Sequence, residues 1–398
     1  MKKEVIWILG LISLLTACNK KSITTIHQKT IDPIATSLGI EKVPVSANKR
    51  YRKYFDHYTK VLAPNGKPIK IFAQDQITNE QIIRVRNVLK HYLTDLPGSQ
   101  YGADKSAIAN KMAENKAVLL LLNGRDDGKN PAANLRGQPL FEEEIQVEGH
   151  PWYVNQEYRG HRDATYEEIL HLVHDTGIGV DGRNSMSGAA PDFQKEIRAA
   201  QKNALQNKLW GMGTRAQPWI QELSQENSLS QEYLAALIDA YYGLWGAWKQ
   251  DQLHSMWGIY VAKDRKAIAK KDALGQNILN NKFFHPYLTY NARIDAGFQG
   301  TFSLKFDAAI PYTHHSQYLK DITLLGKNNT KVRVNELDND ITGNAGINTV
   351  IFSGISKDYV IKNVNGITKI IDKVLDRDGV NTLKKVEKIK FKNKEIDL

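Results

Sequence analysis

The sequence predicts an α+β protein with a mainly helical second half and a small all-β module at its C-terminal end. Three observations carry this. Strand-like and helix-like segments alternate in the first third of the chain, long helical periodicities fill the middle, and from Lys331 onward the texture changes to short β-prone runs. The chain has 398 residues, 41% of them hydrophobic and 24% charged, which fits one large or two ordinary domains and excludes a disordered or membrane-spanning class.

The N-terminal segment reads as an address. Met1-Lys-Lys is a basic start, Val5 to Leu15 is an apolar run too short to cross a bilayer, and Leu15-Thr-Ala-Cys18 follows at once. Cys18 is the only cysteine, so a chain cleaved before it has no thiol for a disulfide, for zinc ligation beyond that residue or for nucleophilic catalysis. Asn19 to Ala47 is rich in Lys, Thr and Ser and reads as a tether, with folding expected from about Tyr51.

Lys67 to Ala73 reads as a strand, and Thr78-Asn-Glu-Gln81 opens a helix whose Ile82, Val85, Val88, Leu89 and Leu93 recur at helical spacing. Val118 to Leu122 is a continuous apolar run, the pattern of a strand buried on both faces. A polar strand is expected around Glu144 to Val147. Next comes Asp163-Ala-Thr-Tyr-Glu-Glu-Ile-Leu-His-Leu-Val-His-Asp-Thr-Gly177. Its Glu167, His171 and His174 share one helical stripe with Glu168 beside it, and Ile169, Leu172 and Val173 form the apolar face. Two readings stand side by side. The stripe is laid out as a metal site, yet Thr165-Tyr-Glu-Glu168 also fits a capping box in which both glutamates merely open the helix. Further helices are expected over Pro191 to Leu209, with Phe193, Ile197, Ala200 and Ala204 inward, and after a cap at Ser228 or Ser230. There Tyr233, Leu237, Tyr241 and Leu244 form the core stripe and Glu232 and Asp239 share another face. No repeat of solenoid period is evident. The C-terminal strands are expected over 349–353, 358–364, 367–373 and 386–392, with Asn365-Gly366 as a hairpin turn.

The formal net charge is +11, much of it from lysines alternating with apolar residues in the last forty positions, as in Lys388-Ile-Lys-Phe-Lys392. That is the solvated face of a strand, and with no nucleic-acid motif beside it the charge argues against a nucleic-acid partner.

Resemblances sharpen these readings. The N terminus resembles the signal peptide and lipobox of bacterial lipoproteins, which implies cleavage after residue 17, lipidation of Cys18, a tether to residue 50, and an exported protein held on the membrane surface of the cell envelope. Glu167-Glu-Ile-Leu-His171 resembles the zincin motif with its first histidine replaced by glutamate. Glu232-Tyr-Leu-Ala, with Tyr241-Tyr-Gly beyond, looks like the segment that supplies the third ligand in glutamate-ligand zincins. The resemblance implies a zincin-like domain over 51–330, with zinc held by Glu167, His171 and Glu232, His174 as a substitute imidazole, Glu168 as the base and a peptide or protein as substrate. Asp338-Asn-Asp-Ile-Thr-Gly-Asn-Ala-Gly-Ile-Asn348, with Asp376-Arg-Asp-Gly379 and Asn381-Thr-Leu, looks like the end of a haemolysin-type (RTX) region. That implies a β module over 331–398 and weak calcium binding at Asp338, Asp340 and Asn348. The alternative is a non-catalytic envelope protein that keeps the fold without the chemistry.

Overall fold

A computed structural model describes residues 33–155, 162–182 and 186–398. The expected signal peptide, Cys18, the first part of the tether and His161 lie outside the described residues. Among the described residues no helix is long and apolar enough to cross a membrane.

A five-stranded sheet comes first, in the order β1 (Glu41–Lys42), β2 (His57–Leu62), β3 (Pro68–Ala73), β4 (Val118–Leu122) and β5 (Gln138–Phe141). The first three strands pair antiparallel; β3, β4 and β5 run parallel. The β4 segment is buried along its whole length, as its unbroken apolar run predicts. Leu119 and Leu121 face the main core. Val118, Leu120 and Leu122 face a smaller cluster with Phe55, Phe72 and Phe141. The polar strand expected near Glu144 is not formed. The strand lies earlier, and the Glu144 carboxylate accepts the Phe141 N–H at 3.0 Å, so that a short 3-10 turn over Glu142–Glu144 ends it.

Of the helices, α1 (Pro33–Ser37) and α2 (Lys49–Tyr54) are short, so folding starts before the expected Tyr51. The helix α3 (Asn79–Leu93) opens on the expected capping box, Thr78 Oγ1 accepting the Gln81 N–H at 3.2 Å and Gln81 Oε1 accepting the Thr78 N–H at 3.0 Å. After α4 (Ser106–Glu114) and α5 (Pro151–Asn155) comes the helix of interest, α6 (Thr165–Val173), which runs into a π turn over His174–Ile178. Against it pack α3 and α9 (Leu229–Tyr241); α7 (Pro191–Gln206) lies on the π turn and on α9, α8 (Gln217–Glu226) on α9, and α10 (Arg265–Lys271) and α11 (Ala273–Leu279) follow. The predicted inward residues of α7 and α9 are all buried.

The remaining chain winds between two sheets. Strands β6 (Leu288–Ile294), β8 (Leu319–Leu324), β10 (Asp340–Thr342) and β14 (Val380–Lys384) run parallel in one, with the hairpin β12 (Tyr359–Val364) and β13 (Ile367–Asp372) on its edge. In the other, β7 (Gly300–Ser303), β9 (Thr330–Arg333), β11 (Thr349–Ile351) and β15 (Lys388–Lys390) are parallel, and β16 (Glu395–Asp397) returns antiparallel. A four-residue helix, α12 (Thr313–Ser316), interrupts the first winding. Ala292, Ile322, Ile341 and Leu383 from one sheet and Phe302, Val332, Val350 and Ile389 from the other fill the space between. The parallel strands begin at Leu288, ahead of the short β-prone runs read from Lys331 onward, and they wind in parallel with no regular repeat. Successive strands of the first sheet start at 288, 319 and 340, so the turns of the winding are unequal in length. The Asn365-Gly366 turn is as expected, both residues having positive φ, 52° and 74°.

Candidate metal centre

The start of α6 is fixed by a buried ionic network. Asp163, fully buried, accepts the Thr165 N–H on Oδ1 at 3.1 Å, and its Oδ2 meets the Arg84 guanidinium at 2.5 Å and the Tyr153 hydroxyl. Arg84 also pairs with the buried Glu148. Three of these buried charges belong to three separate segments, so the network ties α3 and the loop before α5 to the first turn of α6.

This arrangement displaces the expected capping box. Ala164 is the capping residue and Thr165 is the first helical one, which moves Glu168 to the fourth helical position, too far on to reach back. The Thr165 hydroxyl turns to the Glu144 carbonyl, and Glu168 accepts a hydrogen bond from Gln138 Nε2 on β5 at 2.6 Å. Ser228 stands at the capping position of α9 but makes no side-chain cap, and Ser230 lies inside the helix, where its Oγ accepts from Gln194.

With both glutamates released from capping, the acidic openings of α6 and α9 face each other. One ligand atom from each of Glu167, His171 and Glu232 lies within 4.8 Å of the others, a cluster able to hold a metal ion. His171 presents Nε2 to Glu232 Oε1 at 3.6 Å and Nδ1 to Glu168 Oε2, also at 3.6 Å. Two ligands on one zinc at tetrahedral angles stand about 3.3 Å apart, so a small inward movement would close the set. His171 Nε2 is buried and finds no hydrogen-bond partner among the described residues.

Electrostatics describe a site rich in negative charge. Burial by itself would depress His171, but Glu232 and Glu168 reverse this and lift it to about 9. Glu232 is raised by burial, against the pull of His171. Glu144 is pushed up to about 7 by burial and by the charge of Glu168. Arg162 supplies a resident counter-charge: its guanidinium meets the Glu167 carboxylate and reaches Asp239 Oδ2 on α9 at 3.1 Å, while stacking near Trp257 and Trp245. Asp239 is raised to about 6 because burial outweighs Arg162. Glu232 and Asp239 thus share a face of α9, as their spacing predicts, and both look toward Arg162.

The structure keeps His174 out of the cluster. Its Nε2 stands 2.5 Å from Gln194 Oε1 of α7, and burial lowers it to about 4, so it serves the core as a neutral imidazole. His285 and His315 are likewise tied to backbone carbonyls, those of Thr94 and Tyr242. Tyr242 is a core residue whose hydroxyl donates to the His285 carbonyl at 2.9 Å, and Tyr241 underlies the Arg265 guanidinium.

The calcium candidates are not brought to one point. Asp338 Oδ1 accepts the Val380 N–H at 2.8 Å, Asp340 is exposed, and Asn348 lies on the following turn. Asn348 uses its amide as a donor, to the Gly346 carbonyl at 2.8 Å and to Glu387 at 3.0 Å. Asn335, Asn339 and Asn344 act similarly, each donating to carbonyls of the preceding winding. Amide N–H groups here satisfy carbonyl oxygens that a cation would otherwise collect.

Sequence reasoning missed Arg162, Gln138 and Glu144. An arginine three residues before an acidic helix start was a signal for the first; for the other two the contact crosses about 25 or 30 residues and no local pattern announces it. No known protein family and no curated protein matches the chain.

Proposed function

We propose that the protein is a zincin-like metallohydrolase acting on peptide bonds from the surface of the cell envelope, held there through a lipid on Cys18. The observation that carries this reading is the convergence of Glu167, His171 and Glu232 from two helices, with a third carboxylate, Glu168, beside His171. Glu167, His171 and Glu232 would hold the ion; zinc is the choice that an imidazole among carboxylates favours least selectively, so manganese and iron are competitors. Bound there, zinc supplies Lewis acidity that polarises a carbonyl. Glu168 would take the proton from the attacking water; its Oε2 accepts from Gln138 and faces His171 Nδ1, so the Gln138 amide holds the carboxylate beside the imidazole. Gln138 lies on β5, the edge strand of the five-stranded sheet among the described residues.

The test is metal content by elemental analysis together with peptide hydrolysis by the wild type and by Glu168→Gln. Stoichiometric metal in both proteins, with activity falling about 100-fold or more in the variant, supports the reading. Activity that survives in Glu168→Gln removes the assigned base. A second reading, a binding module without catalysis, is favoured by Arg162, a cation already seated against Glu167. It expects no stoichiometric metal in either protein.

A further inference from the structure

The lysine run near the C terminus finds a use that strand alternation does not require. On the outer face of the second sheet of the winding, Arg333, Ile351 and Lys390 stand side by side in one cross-strand row on β9, β11 and β15. Lys305, just past β7, and Lys392, just past β15, turn to the same place. With Ser353 they line a cavity of about 470 Å³. The volume lies within the range that holds a small organic ligand.

Its chemistry is one-sided. No carboxylate lines the cavity, and among the described residues none of the four cations has an ion-pair partner. Lys388, two residues before Lys390, shows the contrast: Glu395 and Asp397 stand 3.4 and 3.2 Å from its ammonium group, so the neighbouring β16 carboxylates are drawn to it and away from the groove. Lys305 Nζ has only the Ser353 hydroxyl, at 3.5 Å. Like charges gathered across adjacent strands repel, and a concave wall concentrates their field; such a cost persists where an anion offsets it. Between the cations the surface is apolar: Ile351 sits in the middle of the row, and the stacked rings of Phe352 and Phe391 also line the cavity.

The geometry points to a binding site for an amphiphilic anion, whose phosphate or carboxylate group is held by Arg333, Lys390, Lys305 and Lys392 while its apolar part lies over Ile351. The site is separate from the metal cluster and does not depend on it. Two sources offer this chemistry, a lipid presented by a membrane surface and a free organic anion.

Two probes distinguish them: monomeric decyl phosphate, followed by titration calorimetry, and sedimentation with phosphatidylglycerol vesicles set against phosphatidylcholine vesicles. Each is measured with the wild type, with Arg333→Glu/Lys390→Glu, and with a control, Lys362→Glu/Lys369→Glu. The control pair is on the β12–β13 hairpin and alters the net charge equally. N-terminal residues are common to all three and cancel in the comparison. Expected is binding of at least one probe, weakened about tenfold or more by the groove pair and less than about twofold by the control. Binding of decyl phosphate assigns the site to free anions, and binding of the acidic vesicles alone assigns it to a lipid surface. If the groove pair fails to fold, Arg333→Gln/Lys390→Gln replaces it. No binding of either probe, or equal weakening by groove and control pairs, overturns the proposal.

Discussion

Arg162 and His174 define what single residues contribute around the cluster. Arg162 lies against Glu167 and Asp239 and competes for the charge that a metal ion needs. Replacing it with glutamine removes the competitor, so chelator competition is expected to show metal bound about tenfold more tightly, with a larger rise in melting temperature on adding zinc than in the wild type. Unchanged affinity would mean that the guanidinium leaves the cluster without cost. His174 works in the opposite sense, as a group that must stay neutral. Its folded pKa of about 4 lies below the usual 6.5, so the folded state resists the proton that the unfolded chain accepts. The stability that His174 contributes is therefore complete above about pH 6.5 and declines as the pH falls toward 4, by up to about 3 kcal/mol. Urea midpoints at pH 7 and pH 4.5 should fall less in His174→Gln than in the wild type; parallel falls would show that other groups govern the acid limb.

At the scale of the element, α6 owes its beginning to charge rather than to a cap. Arg84→Met leaves Asp163 and Glu148 buried without their cation, and about 3 to 5 kcal/mol of stability should be lost, read as a lowered urea midpoint. Because Asp163 also accepts the Thr165 N–H, amide exchange in the first turn of α6 should rise more than in α7; equal rises would place the damage elsewhere. The contrast with α3 explains which parts of the fold are legible in a sequence. Thr78 and Gln81 make their capping box as their spacing predicts, since every partner lies within one turn. Thr165 and Glu168 carry the same pattern, but the Thr165 N–H goes to Asp163, which Arg84, 79 residues away, holds in place. Likewise the Glu167, His171 and Glu232 grouping was legible through periodicity on each helix and the likeness of the motif. The Gln138 and Arg162 contacts were not, since they arise from the way β5 and α9 pack against α6. His174 follows the same rule: its spacing puts it on the stripe, and the π turn at the end of α6 together with Gln194 takes it off.

For the whole molecule the question is whether the parallel winding is an appendage or part of the body that carries the metal cluster. The packing favours the second. One contiguous hydrophobic core runs from Ala35 to Phe391, and polar contacts cross it as well. Tyr290 of β6 meets Tyr166 of α6 at 2.5 Å and Glu148 at 2.5 Å, and the His315 ring stacks on Tyr153 at 5.3 Å. Tryptophan offers a clean reporter, because beyond Trp7 all of them lie between Trp152 and Trp257, outside the winding. Ile341 and Leu383 are inside it, each 1% exposed between the two sheets, and truncating either to alanine should cost about 2 to 5 kcal/mol. If the molecule unfolds as a unit, Ile341→Ala must lower the urea midpoint seen by tryptophan fluorescence as much as the one seen by far-ultraviolet circular dichroism, although no tryptophan is near the substitution. A tryptophan midpoint that stays at its wild-type value while the dichroism signal splits into two transitions would show that the winding melts alone. The shared core and the Tyr290 and His315 contacts make the single, jointly shifted transition the expected result, and they imply that the start of α6, and with it the metal cluster, is supported in part by strands more than a hundred residues downstream.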